Sequence, residues 1–140
     1  MSFPIRSARE QTLGIFVFPR VVDKIRLQAA GKLPAGYHVG IVPGNRTFDD
    51  RLCKFLGVDF EAFAARVLKG GTDEELLNWC FENGQKPTAE QIEIWNGFMS
   101  KRGWNDTAGL EKSKADAGLA HRPDIQTYFD LFDVEEGRAQ

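Results

Sequence analysis

Apolar residues recur along most of this chain at three- and four-residue spacing, and short glycine- or proline-marked breaks separate the runs. That period predicts amphipathic helices. The first helix is expected over residues 20–30. Pro19 supplies a preset φ at its start and Gly31 a cheap left-handed stop, while Val21, Val22, Ile25 and Ala29 share one face. Further helices follow Thr47 (Phe48, Leu52, Phe55, Leu56), Asp59 (Phe60, Phe63, Ala64, Val67, Leu68), Thr72 (Leu76, Leu77, Cys80, Phe81) and Thr88 (Ile92, Trp95, Met99). Glu75 and Gln91 stand three residues after Thr72 and Thr88, the spacing at which cap and third residue satisfy each other's amides. A last helix is expected to begin at Pro123-Asp124 and bury Ile125, Tyr128, Phe129 and Phe132.

Elsewhere the pattern weakens. Residues 1–12 predict an extended arm. Leu13 to Phe18 form an apolar run that fits a first helical turn or a packed extended segment. Residues 31–46 carry Gly31, Pro34, Gly36, Gly40, Pro43 and Gly44, and predict one long Gly/Pro-rich loop laid over the polar side of the first helix. Residues 105–122 hold few large apolar side chains, so an exposed segment is expected, and residues 133–140 read as a loose tail. The expected fold is mainly α: one compact helical domain spanning 1–140, with five or six helices.

A chain of 140 residues builds a sizeable core without staples. A net charge of −2 argues against general nucleic-acid binding. No apolar run reaches the about eighteen residues that cross a membrane, and the first residues lack a secretory pattern. Cys53 and Cys80 lie on apolar helical faces and read as buried free thiols, which fits a soluble cytoplasmic protein.

The densest chemistry lies in the first helix. Arg20, Asp23, Lys24 and Arg26 fall within one helical stretch, with Asp23 spaced to bridge Arg20 and Arg26. Two readings stand: a solvated charged face, or a surface for a small anion. His38 beside Tyr37 in the glycine loop is the best general acid/base pair. Asn96, an unfavourable mid-helix residue, is expected to bond to the 31–46 loop or to a ligand. Other chemistries lack their patterns. Gly40 to Arg46 has glycines without the lysine and hydroxyl of a phosphate loop. His38, Cys53, Cys80 and His121 lack zinc spacing. No metal or cofactor is expected.

The motif Pro19-Arg20-x-x-Asp23-Lys24-x-Arg26, Tyr37, Phe55-Leu56-Gly57-Val58-Asp59, Thr72-Asp73-Glu74-Glu75 with Trp79, and Trp95-Asn96 resemble a bacterial family known as domain of unknown function 5069. The resemblance covers about residues 13–100. It implies no activity, and it directs attention to the Arg20–Arg26 cluster. Two function classes follow from the residues. One is a binding or interaction module that uses Arg20, Asp23, Lys24, Arg26 and Asn96 for a small anionic ligand or a protein partner. The alternative is an enzyme on a small carboxylate or phosphate compound, with Arg/Lys clamps and His38 or Tyr37 moving a proton.

Overall fold

Two adjacent residues with positive φ, Leu13 (47°) and Gly14 (84°), shape the start of the molecule. They form the turn between β1 (Gln11–Thr12) and β2 (Ile15–Phe16), which pair antiparallel with Gln11 opposite Phe16. Positive φ at both central positions matches the twist of a tight hairpin. The apolar run from Leu13 is therefore a hairpin turn and a buried strand rather than a helical turn. In the computed structural model, which describes residues 3–139, this hairpin feeds α1 (Phe18–Ala29). Val17 caps α1 at φ 80°, an unusual conformation for a β-branched residue. It is fixed there by full burial and by its amide bond to the Ala8 carbonyl at 3.0 Å.

Four capped helices follow: α2 (Phe48–Leu56), α3 (Phe60–Leu68), α4 (Asp73–Asn83) and α5 (Ala89–Ser100). Thr47, Asp59, Thr72 and Thr88 each accept a bond from a first-turn amide, and the last two form complete capping boxes. Their apolar stripes meet α1 in one core built on Phe18, Val21, Val22, Leu52, Leu56, Phe63, Val67, Leu76, Leu77 and Met99. Cys53 and Cys80 lie in it as free thiols. Burial pushes each to about 12, so both are neutral packing groups.

The C-terminal third adds α6 (Thr107–Asp116) and α7 (Tyr128–Glu135), making seven helices among the described residues rather than five or six. Within 105–122, Thr107–Asp116 form a capped helix because Asp106 bonds the Gly109 amide and Leu110 packs with Ile125 and Leu131 in a second, smaller core, while most of the segment is exposed. The last helix starts at Tyr128, capped by Thr127, and not at Pro123. Of the expected arm, residues 3–12 are packed: Ile5 and Ala8 are buried, and Ser7 Oγ donates to Asp133 at 2.8 Å. Met1 and Ser2 lie outside the described residues. The tail from 133 is not loose either. Asp133 pairs with Arg9, and Glu136 is buried. No described helix is long and apolar enough to cross a membrane.

Candidate functional site

The residues of the α1 cluster point to different partners. Arg20 is 4% exposed and meets Glu136 through two bonds, at 2.9 and 2.7 Å. Its guanidinium also donates to the Arg6 carbonyl and lies 4.6 Å from the Phe132 ring centroid. Tyr37 Oη donates to the same carboxylate at 2.5 Å, and Arg138 bonds it as well. Burial alone would raise Glu136; the bonds from Arg20, Tyr37 and Arg138 outweigh it and hold the carboxyl below its ordinary value. Burial and the Glu136 charge push the Tyr37 phenol far above its ordinary value, so it stays protonated as a donor.

Lys24 donates to Asp49 at 2.7 Å and to the His38 carbonyl at 3.1 Å. The other Asp49 oxygen takes the Gly40 amide at 2.8 Å, and Thr47 Oγ1 bonds the Gly40 carbonyl. Gly40 has φ 81°, and a Cβ there would stand 2.7 Å from the Phe60 ring. The long loop is thus tied down over the polar side of α1. The expected bridge from Asp23 to Arg20 and Arg26 does not form. Asp23 instead takes three bonds from Arg6, including its amide at 2.8 Å. Arg26 caps the Gly71 carbonyl at 2.8 Å. Asn96 serves the hairpin rather than the 31–46 loop, donating to the Gly14 carbonyl at 2.7 Å and accepting from the Phe16 amide at 3.0 Å. Trp95 Nε1 adds a bond to the Phe16 carbonyl. The His38 ring is exposed and makes no hydrogen bond to the described residues.

A cleft of about 810 Å³ opens between α1, the long loop, the start of α2, the end of α5, α6 and α7. That is ligand-sized. Arg20, Lys24, Tyr37 and His38 line one wall; Asp23, Arg26 and Asn96 lie outside it. Phe48, Tyr128 and Phe132 give it an aromatic floor, with Phe48 edge-on to both of the others at 6.1 and 5.6 Å.

Another part of the lining carries Arg46, Arg51 and Arg102. Neither Arg46 nor Arg51 forms an ion pair among the described residues. Arg51 Nε reaches only the Arg46 carbonyl, at 3.4 Å. Burial first, then the positive charges of Arg46 and Arg102, shift Arg51 below its ordinary value. Arg102 has one good bond, to Asn105 at 2.8 Å, and a distant carboxylate, Asp106, at 3.6 Å. Its Nε is buried without an acceptor. Arg51 and Arg102 stand over the same Phe98 ring at 5.6 and 6.0 Å. Arg51 therefore feels two other guanidiniums, offset only by the more weakly acting Asp50, while Arg46 is exposed and Arg102 has Asp106 at 3.6 Å. This triad was missed from sequence because its members are spread over three elements. The one local hint was Arg46, next to Asn45 in the glycine loop.

Among the described residues no group of three His, Cys, Asp or Glu side chains converges as a metal site. The chain belongs to the family described as a domain of unknown function, DUF5069, whose model matches residues 2–138 and so extends well beyond the 13–100 stretch that carries the motifs. No curated protein matches the chain.

Proposed function

We propose that this member of the DUF5069 family is a binding module that holds a small anionic ligand in the cleft, with Arg51 as the central contact and Arg46 and Arg102 beside it. The observation that carries this reading is Arg51: a partly buried guanidinium in a ligand-sized cleft, facing two like charges and bonded only to one distant carbonyl. A carboxylate or phosphate would supply the missing acceptors, and guanidinium groups match both in a two-point geometry. Arg20 and Lys24 contribute shape and field from the other wall, since each already holds a carboxylate.

The enzyme reading has weaker support. Tyr37 is committed to Glu136 as a donor, and His38 lacks a partner that would orient it. The test is thermal unfolding with inorganic phosphate. A ligand that binds only the folded state raises the midpoint by mass action. Phosphate is expected to raise the wild-type midpoint in proportion to the logarithm of its concentration, and Arg51→Gln is expected to abolish the rise. An equal rise in both proteins would sink the reading.

A further inference from the structure

The ring centroids of Phe48, Tyr128 and Phe132 form a triangle with sides of 5.6, 6.1 and 6.4 Å. All three line the cleft and none is fully buried, so part of each ring stays open to it. The core backs this triangle: Phe129 is 0% exposed and packs edge-on to Phe48 at 6.0 Å. Two corners carry an arginine. Arg20 stands 4.6 Å from the Phe132 centroid and Arg102 stands 5.9 Å from that of Tyr128. The two differ in how well they are neutralised. Arg20 has its two bonds to Glu136. Arg102 has Asp106 only at 3.6 Å, and that carboxylate is engaged elsewhere: it accepts Tyr128 Oη at 2.9 Å and the Gly109 amide at 3.2 Å. Arg51 shares the Phe98 ring with Arg102, and neither of its terminal nitrogens has an acceptor among the described residues. The demand for an anion therefore lies at the Tyr128 corner of the triangle.

We infer that the ligand is an amphipathic anion: a phosphate or carboxylate at Arg51 and Arg102, joined directly to an apolar group the size of one ring that lies on Tyr128, Phe48 and Phe132. This rests on the anion-binding reading above and adds the apolar half of the ligand and the role of the three rings. A bare inorganic anion would leave the open ring surface in water, and a neutral apolar molecule would leave Arg51 without acceptors. One molecule carrying both groups satisfies both walls of this corner, as ligand pockets commonly do with a few polar contacts set in an apolar lining. No linker is needed between the two groups, because Arg102 already lies 5.9 Å from the first ring of the triangle.

The experiment titrates methyl phosphate, phenyl phosphate and phenol calorimetrically into the full chain. Phenyl phosphate is expected to bind about tenfold tighter than methyl phosphate, the gain from covering most of one ring's apolar surface. Phenol is expected to bind more weakly than phenyl phosphate. Arg51→Gln should weaken both phosphates, and Phe48→Ala should bring the ratio of their affinities towards one. Thermal unfolding checks that Phe48→Ala is folded; Phe48→Leu, which keeps more of the packing, takes its place if it is not, and should lower the ratio in the same direction. If the two phosphates bind wild type equally and Arg51→Gln weakens both, the anion site stands and the apolar half is overturned. If the phenyl gain survives in the Phe48 variant, the assignment to these rings is overturned. If phenol binds as tightly as phenyl phosphate, the rings and the arginines do not act on one ligand and the inference falls. If neither phosphate binds, the anion reading falls with it.

Discussion

The two walls of the cleft are both rich in cations and differ in what those cations touch. On the α1 wall, Arg20 and Lys24 are 5% and 12% exposed at the side chain, and each meets a carboxylate that is 0% or 1% exposed. On the other wall, exposed Arg46 and half-buried Arg51 meet none, and Arg102 keeps a buried nitrogen without an acceptor. A buried charge with its partner is a structural device; a half-buried charge among like charges leaves electrostatic work for a ligand. The comparison teaches that charge density along a sequence is a poor guide to a site. What marks a site is charge that folding leaves unneutralised.

The largest expected effect lies on the neutralised wall. Glu136→Ala leaves the Arg20 guanidinium buried without its counter-ion and frees the end of α7, so the expected loss is about 3–5 kcal/mol in denaturant unfolding. Arg20→Met combined with Glu136→Leu should recover only part of it, since the apolar pair removes the buried charges but leaves Tyr37 Oη, Arg138 and the Arg6 carbonyl without these partners. The pH dependence has a definite sign. Glu136 is held below its ordinary value in the folded protein, so its contribution is complete above the unfolded glutamate value of about 4.3. It is lost as pH falls through the folded value. The stability gap between wild type and Glu136→Ala should therefore narrow in acid. A gap that stays constant down to strong acid breaks the assignment.

A smaller effect is expected from the second pair on that wall. Asp49→Asn keeps an acceptor for the Gly40 amide and removes the charge opposite Lys24. A loss of about 1–3 kcal/mol follows. The amide of Gly40 should also exchange hydrogen faster, because a neutral amide oxygen holds it less tightly than the Asp49 carboxylate. Unchanged exchange at Gly40 would mean that the charge of Asp49 adds nothing to that tie.

Much of the fold was legible in the sequence because its signals are local. The caps at Thr47, Asp59, Thr72 and Thr88 are read within four residues, and the predicted stripes pack except at their ends, where Ala29 and Leu68 are left exposed. The hairpin was harder: a two-residue strand is too short to show a period, and its turn uses Leu13 at positive φ where a glycine or asparagine would have announced it. The tail was misread for a related reason. Acidic residues at the end of α7 look unfavourable for the helix dipole, and only the fold reveals Arg20, Arg9 and Arg138 opposite them. The same limit hid the candidate site. Arg20 to Arg26 are neighbours in sequence and diverge in space to Glu136, Arg6, Asp49 and Gly71. Arg46, Arg51 and Arg102 are far apart in sequence and meet in one cleft.

The smallest expected effect sharpens the contrast most. Arg51→Gln removes a guanidinium that has no carboxylate, keeps a polar end at the cleft, and relieves repulsion with Arg46 and Arg102. What it gives up is one long bond, a cation–aromatic contact with Phe98 at 5.6 Å and the weaker attraction of Asp50. These opposing terms leave unfolding stability within about 0.5 kcal/mol of wild type, the range of an unremarkable surface change. Salt separates the terms. Raising ionic strength from about 0.01 M to 0.5 M shortens the screening length from about 30 Å to under 5 Å and mutes the repulsion among the three arginines. Sodium chloride should therefore raise the wild-type midpoint more than that of Arg51→Gln. The opposite ordering, with wild type losing more stability in salt, would mean that Arg51 is held by an attractive charge contact. The two walls would then be alike, and the case for an anion in this cleft would lose its foundation.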